Sequence, residues 1–117
     1  MMINCPEFLD DEGRREWFNM APSVFAIVGR STETAEKLGR YIALHLEWRR
    51  LYVRVKELGE WRTTRKGWRF TPEYVAMNKA SRRMHAVGEQ LGCSPLARAK
   101  IRARRDRANT PHRPRSA

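Results

Sequence analysis

The sequence is poor in the residue types on which several common kinds of site depend. Its two cysteines, Cys5 and Cys93, stand far apart and outside any CxxC spacing, so neither a zinc site nor a disulfide framework is expected. Only three of the 117 residues are histidines, and no GxxxxGK[ST], GxGxxG, GxSxG or HExxH motif occurs. We therefore expect no catalytic site, no metal and no cofactor.

Long apolar runs are also missing. No stretch approaches the roughly 18 apolar residues that a membrane span needs. Residues 1–7 have neither the basic region nor the apolar region of a signal peptide. We expect no membrane partner, an intracellular location and two reduced thiols.

Acidic residues are few beside the basic ones. The chain has 24 Lys and Arg against 13 Asp and Glu, a formal charge of +11, and 19 of the basic residues are arginine. Residues 1–36 sum to −4, residues 37–91 to +8 and residues 92–117 to +7. Charge that is polarised in this way indicates a surface for a polyanion, and nucleic acid is the first candidate.

Chain length limits the size of the core. A chain of 117 residues with 41% hydrophobic content supports one modest core. We expect a single helical domain over residues 1–108. Residues 109–117, rich in Pro and Arg, are predicted to be a basic tail that does not fold.

The apolar spacing predicts a mostly α-helical fold. A first helix is predicted over residues 7–20, with acidic residues in its first turns and Pro22 ending it. Residues 24–28 are too short an apolar run for a helix and are predicted to be a connector that packs on the core.

A long central helix is the dominant predicted element. It is expected to begin at a cap on Ser31 or Thr32 and to end at Leu58, where Gly59 acts as a C-terminal glycine. Its apolar residues lie on more than one face, which predicts cover from more than one side and therefore self-association. The oligomerisation residues predicted here are Leu38, Tyr41, Ile42, Leu44, Trp48, Leu51, Tyr52 and Val55.

Three further elements are predicted after the central helix. Residues 60–70 carry aromatic and Thr residues around Lys66-Gly67, which is typical of a β-hairpin. A third helix is expected over residues 72–91, capped by Thr71 and closed by Gly92. A short basic helix is expected over residues 96–107.

Three basic surfaces remain as candidates for nucleic-acid binding. The hairpin interleaves arginines with aromatic residues that stack on bases or only pack across strands, and we weigh both interpretations equally. The third helix carries a smaller basic group, for which a solvated face is the simpler interpretation. The C-terminal segment contains a single acidic residue, Asp106. Its high density of basic residues favours nucleic acid as a partner. The DNA-binding residues predicted here are Arg62, Arg65, Lys66, Arg69, Arg82, Arg83, Arg98, Lys100, Arg102, Arg104, Arg105 and Arg107.

Two segments carry a resemblance to a known family. Residues 91–98, Leu-Gly-Cys-Ser-Pro-Leu-Ala-Arg, resemble the Leu-Gly-Leu-Thr-Pro-x-x-Arg signature of one branch of the small terminase subunits of tailed phages. Residues 17–24, Trp-Phe-Asn-Met-Ala-Pro-Ser-Val, are similar to that family's Trp-x-x-hydrophobic-Ala-Pro-x-Leu. Tyr41 and Trp48 fall where the family keeps an aromatic pair, and the likeness covers roughly residues 9–105.

The resemblance implies a non-enzymatic subunit of a viral DNA-packaging motor. Such a subunit assembles as a homo-oligomeric ring of about eight or nine copies, recognises double-stranded viral DNA and hands it to a large subunit with ATPase and nuclease activities. The expected location is the host cytoplasm. The sequence departs from the family in its acidic N-terminal helix, which replaces a basic arm, and in Cys93, which replaces a leucine.

Two other classes of function remain as alternatives. A small dimeric DNA-binding regulator or antitoxin would read two half-sites through a recognition helix, and a clear helix-turn-helix pattern would favour it. A nuclease accessory enzyme would need clustered histidines and carboxylates. His45, His85 and His112 are dispersed, so structural roles are the simpler interpretation.

Overall fold

The computed structural model describes residues 3–93 and 95–109, and it confirms the predicted fold class. Four helices and one two-stranded hairpin are present in this part of the chain. In order they are α1 (Asp11–Val28), α2 (Thr32–Leu58), β1 (Trp61–Thr64), β2 (Gly67–Phe70), α3 (Pro72–Gln90) and α4 (Pro95–Asn109).

Helix α1 is longer than the sequence predicted and is shifted toward the C-terminus. Its N-cap is Asp10, whose carboxylate accepts a hydrogen bond from the Gly13 backbone N–H at 2.7 Å. The helix passes through Pro22, so the expectations that this proline ends the helix and that residues 24–28 are a connector were wrong. Burial explains the difference, because Ala21 and Val24 on either side of the proline are both in the core, and this packing outweighs the lost backbone hydrogen bond.

Helix α2 has the predicted bounds. The Ser31 hydroxyl caps it by accepting from the Thr34 backbone N–H at 3.0 Å. At the other end Gly59 has a φ of 87°, and its N–H donates to the Val55 carbonyl at 2.7 Å. The side chains of Leu38 and Ile42 are fully buried and form the centre of the core.

The hairpin has the predicted place, but its turn lies one residue earlier than expected. Arg65 and Lys66 form the loop, and Gly67 is the first residue of β2. Its φ of 103° explains why a glycine occupies this position, because residues with a β-carbon rarely adopt that backbone conformation. The Thr64 hydroxyl fixes the loop by donating to the Gly67 carbonyl at 2.8 Å and accepting from the Lys66 N–H at 3.3 Å.

Thr71 joins the base of the hairpin to α3. Its hydroxyl donates to the Gly59 carbonyl at 2.9 Å and caps α3 by accepting from the Tyr74 N–H at 3.4 Å. Helix α3 therefore starts beside the end of α2 and runs back along it. At the far end Gly88 lies so close to α2 that a β-carbon there would be 3.1 Å from the Tyr41 ring.

The core lies at one end of an elongated molecule. It is built where α1, the first half of α2 and the end of α3 meet, while the rest of α2 and α3 extends outward and carries the hairpin at its tip. The principal extents are 73, 41 and 18 Å and the Cα radius of gyration is 19.5 Å. A compact domain of 100 residues has a radius of gyration of about 13 Å, so this chain is thin and exposes much of its helical surface.

Helix α4 packs back on α1 through a narrow apolar contact. Ala97 is buried, and Ile101 lies near Gly92 and Ile27. The predicted basic helix is confirmed, with one more residue at its N-terminal end and two more at its C-terminal end. Of the predicted tail over 109–117, Asn109 ends α4 and the remainder lies outside the described residues. No helix in the described part of the chain has the length and apolar character that crossing a membrane requires.

Candidate nucleic-acid interface

Helix α4 carries the densest basic charge of the described chain. All six of its basic side chains are exposed. Ala97 and Ile101 form the line that faces the rest of the protein, and the helical repeat of 3.6 residues places one basic row on each side of that line. The first row is Arg98, Arg102 and Arg105, and the second is Lys100, Arg104 and Arg107.

The second basic row of α4 lies near the core rather than far out in solvent. Lys100 and Arg104 line a cleft together with Lys37 of α2 and Glu89 of α3. The cleft also includes Ala97 and Ile101, so it runs along the edge where α4 meets the body of the protein.

The hairpin divides its side chains by chemistry between two faces. Trp61 pairs with Phe70 and Thr63 with Trp68, and because side chains alternate along a strand these four lie on one face. Arg62 pairs with Arg69 on the opposite face. One face is therefore aromatic and the other basic.

The aromatic face is ordered by ring stacking but is open to solvent in the single chain. The Trp61 and Phe70 rings stack with centroids 4.3 Å apart, and Phe70 contacts Tyr74 of α3 at 5.1 Å. Trp68 is 72% exposed. Both interpretations of these aromatic residues, stacking on bases and packing across strands, were open from the sequence, and the geometry shows the cross-strand packing.

The basic residues predicted on α3 do not form one surface. Arg82 lines a cleft with Phe70 and Tyr74 near the base of the hairpin. Arg83 lines a different, apolar groove with Leu44 and Val87. The two arginines are adjacent in sequence and diverge around the helix, so they do not converge on a single anion.

The hairpin and α4 are well separated within one chain. Lys37 lies beside α4, whereas the hairpin follows directly after Leu58. At a rise of about 1.5 Å per residue these two positions on α2 are roughly 32 Å apart. A single chain therefore presents two basic surfaces and not one continuous patch.

The predicted oligomerisation residues fall into three groups. Leu38, Ile42 and Val55 are buried within the chain itself and are not available on its surface. The aromatic members of the set form a stack along one side of α2, in which His45 lies between Tyr41 and Trp48 and the Trp48 and Tyr52 rings are 5.3 Å apart. The remaining members, Leu44 and Leu51, are half-buried and lie roughly 80° around the helix from the stack.

Two apolar surfaces therefore flank the α2–α3 pair. One is the aromatic stack of α2. The other is the groove lined by Leu44, Ala43 and Val87, with Phe8 at one end and Arg40, Glu47 and Arg83 at its rim. Sequence reasoning missed the part played by residues 3–10, which pack so tightly on α2 that a β-carbon on Gly39 would be 2.8 Å from Pro6 and Phe8. The signal available was a glycine inside a long helical pattern.

The described residues contain no group of three or more His, Cys, Asp or Glu side chains able to hold a metal ion. His45 is part of the aromatic stack, and His85 lies 3.8 Å from Glu89 one turn along α3. His112 lies outside the described residues.

Burial raises the pKa of the Cys93 thiol, and the neighbouring Tyr41 hydroxyl opposes that rise through a hydrogen bond.

A helical fold of this shape with two basic surfaces is typical of a small protein that binds a polyanion. The comparison with protein families is more specific, because the phage terminase small subunit family matches residues 13–108. The chain belongs to that family, and its role lies in phage DNA packaging. No curated protein and no solved structure matches the chain.

Proposed function

We propose that the chain is the DNA-recognition subunit of a phage packaging motor and works as a homo-oligomer. In this role it binds double-stranded viral DNA in the host cytoplasm and passes it to a large terminase subunit that holds the ATPase and nuclease. The observation that carries the proposal is the family match over residues 13–108, joined to the exposed basic rows of α4. The likeness of residues 91–98 to the family signature supports the same branch of the family.

The shape of the chain supports the proposed assembly. A molecule 18 Å thick has apolar residues on both sides of its α2–α3 pair, and one chain cannot cover both. Two unlike apolar surfaces on opposite sides are what a head-to-tail contact requires, and such contacts form a ring when the rotation between neighbouring subunits closes. We propose a ring of about eight or nine subunits, as the family resemblance implies.

We propose that α4 supplies most of the affinity for DNA. Its six basic side chains are exposed, so they are accessible to DNA without a rearrangement of the fold. Contacts with backbone phosphates release counterions, so the affinity should fall steeply as the salt concentration rises and depend little on sequence in short fragments.

Truncation after Ala97 tests the role of α4. The shortened chain should still assemble, because the α2–α3 surfaces remain. Its affinity for duplex DNA at moderate salt should fall by well over tenfold, since several phosphate contacts are lost. The measurement is fluorescence anisotropy of a labelled duplex. Replacement of Arg62, Arg65 and Arg69 together by Ala is the matched comparison, and a truncated chain that binds like the full chain would refute the role of α4.

We also propose that the subunit performs no chemistry of its own. The purified chain should hydrolyse neither ATP nor DNA, either alone or with duplex DNA added. An activity that co-purifies with the protein, either release of phosphate from ATP or nicking of a supercoiled plasmid, would contradict this part of the proposal.

Two measurements distinguish the packaging role from the alternative, a small dimeric regulator. A regulator would form a dimer and discriminate strongly between its operator and random duplexes. The family match and the spread of basic residues along α4 favour the packaging role.

A further inference from the structure

The pairing of the two hairpin strands brings two arginines directly opposite each other. Arg62 is the cross-strand partner of Arg69, and directly opposite residues have Cβ atoms about 5 Å apart. Both side chains are exposed, and no carboxylate in the described chain forms an ion pair with either. Like charges in this position destabilise a hairpin. The free protein therefore carries an electrostatic cost on this face.

The other face of the hairpin holds the two arginines in place. Stacking of Trp61 on Phe70 fixes the pairing of the same two strands, with their centroids 4.3 Å apart. At the base, the Thr71 N–H donates to the Glu60 carbonyl at 2.9 Å and ties the hairpin to the start of α3. The arginine pair is thus maintained by contacts that do not involve the arginines themselves, which is the arrangement of a preorganised site.

We propose that Arg62 and Arg69 form a clamp for a backbone phosphate of DNA, separate from the surface on α4. A phosphate between two guanidinium groups turns their mutual repulsion into two charge-assisted attractions, and the planar guanidinium accommodates phosphate oxygens in a bidentate way. Arg65 and Lys66 in the loop add positive potential at the tip of the hairpin. The clamp rests on the proposed DNA binding and adds a second contact roughly 32 Å away along α2.

The clamp differs from the other basic groups of the chain in its geometry. Arg82 and Arg83 diverge around α3, and the rows on α4 lie along a helix, where successive members are separated by a turn. Arg62 and Arg69 are the residues that strand pairing forces together. A clamp predicts that the two arginines act as a unit, which scattered surface charge does not.

Replacement of the pair by threonine tests the clamp in the full-length protein. Threonine favours strands, so Arg62→Thr with Arg69→Thr should keep the hairpin. We expect at least a roughly tenfold loss of duplex affinity at moderate salt and a salt slope smaller by about one, as the loss of one phosphate contact requires. The matched control is Arg14→Ala with Arg15→Ala, which removes the same charge from an exposed part of α1 and should leave the slope nearly unchanged. Equal effects of the two double variants would overturn the clamp.

Lysine at both positions distinguishes a clamp from simple charge. Arg62→Lys with Arg69→Lys keeps the charge and the fold but removes the bidentate fork, so the affinity should fall several-fold while the salt slope stays. An affinity equal to that of the original protein would refute the clamp. This variant also decides the question if the threonine variant fails to fold.

Thermal melting without DNA provides an independent readout of the repulsion. At low salt the threonine variant should melt no lower than the original protein, and inorganic polyphosphate should raise the melting temperature of the original protein more than that of the variant. Equal shifts would contradict the clamp.

The outcomes separate the clamp from the proposed function. If the original protein bound no duplex DNA, the proposed function itself would be wrong, whereas intact binding by the threonine variant would contradict the clamp alone.

Discussion

Trp17 fixes α1 to α2 by both packing and a hydrogen bond. Its side chain is 2% exposed, and its indole N–H donates to the Ala35 carbonyl at 3.1 Å. Trp17→Phe keeps an aromatic ring but removes the donor and some volume, so the free energy of unfolding should fall by about 1–3 kcal/mol. Urea denaturation followed by circular dichroism at a fixed protein concentration measures the change.

The neighbouring residue is the control for this prediction. Phe18 is 63% exposed although it contacts the Trp17 ring edge-on at 5.1 Å. Phe18→Leu should change the stability by no more than about 0.5 kcal/mol. If both substitutions had the same effect, the anchoring role of Trp17 would be wrong.

Tyr41 and Cys93 give the chain a dependence on alkaline pH. Burial raises the pKa of both groups above their ordinary values, because the folded protein disfavours the ionised forms. Their contribution to stability is therefore complete below the ordinary pKa values and is lost as the pH rises through the raised ones. The variant with Tyr41→Phe and Cys93→Ala should lose less stability than the original protein between about pH 8 and pH 11. Thermal melting across that range measures the difference, and parallel curves would contradict the assignment.

Helix α1 shows how packing overrides a local signal. Pro22 removes one backbone hydrogen bond and crowds the preceding turn, which is why the sequence predicted a helix end there. The burial of Val24 and the contact of Phe25 with Trp17 were not readable from the local sequence, since they depend on how α1 meets the rest of the core.

Pro22→Ala should therefore stabilise the protein. Pro22 is exposed, so its replacement restores a backbone donor without opening a cavity. The free energy of unfolding should rise by about 1–3 kcal/mol, because proline inside a helix costs about 3 kcal/mol relative to alanine. A drop in stability on denaturation with urea would contradict this account of Pro22.

The hairpin and the third helix were predictable because their signals are local. Aromatic and Thr residues around Lys66-Gly67 predicted the strands, and Thr71-Pro72 predicted the start of α3. The pairing of Arg62 with Arg69 was not predictable, because the glycine belongs to the strand and not to the loop, and one residue of register decides which side chains face each other.

The long helix shows the limit of periodicity as a guide to a candidate site. Apolar residues on several faces of α2 predicted more than one covering partner, and the structure shows that both α1 and α3 of the same chain pack on it. Leu38 and Ile42 were predicted as oligomerisation residues, but they pack in the core of the same chain. The pattern alone does not distinguish an apolar side chain that contacts α1 from one that is left for another copy.

Charge is arranged along the molecule as the sequence indicated, and the acidic residues near the N-terminus meet basic ones within the chain. Arg49 of α2 lies 3.9 Å from both Glu12 and Glu16 of α1. These contacts partly neutralise the core end of the molecule. The basic residues of α4 and of the hairpin remain at the surface, where a polyanion has access to them.

The elongated shape makes assembly into a homo-oligomer the feature on which the proposed function most depends. With a radius of gyration of 19.5 Å and apolar surfaces on both sides of the α2–α3 pair, the chain has little means of covering its own surface. Native mass spectrometry at micromolar concentration measures the number of subunits in the assembly. We expect one dominant assembly of about eight or nine subunits, the number that the family resemblance implies for a closed ring. A monomer or a dimer as the dominant species would contradict the packaging role and favour the regulator.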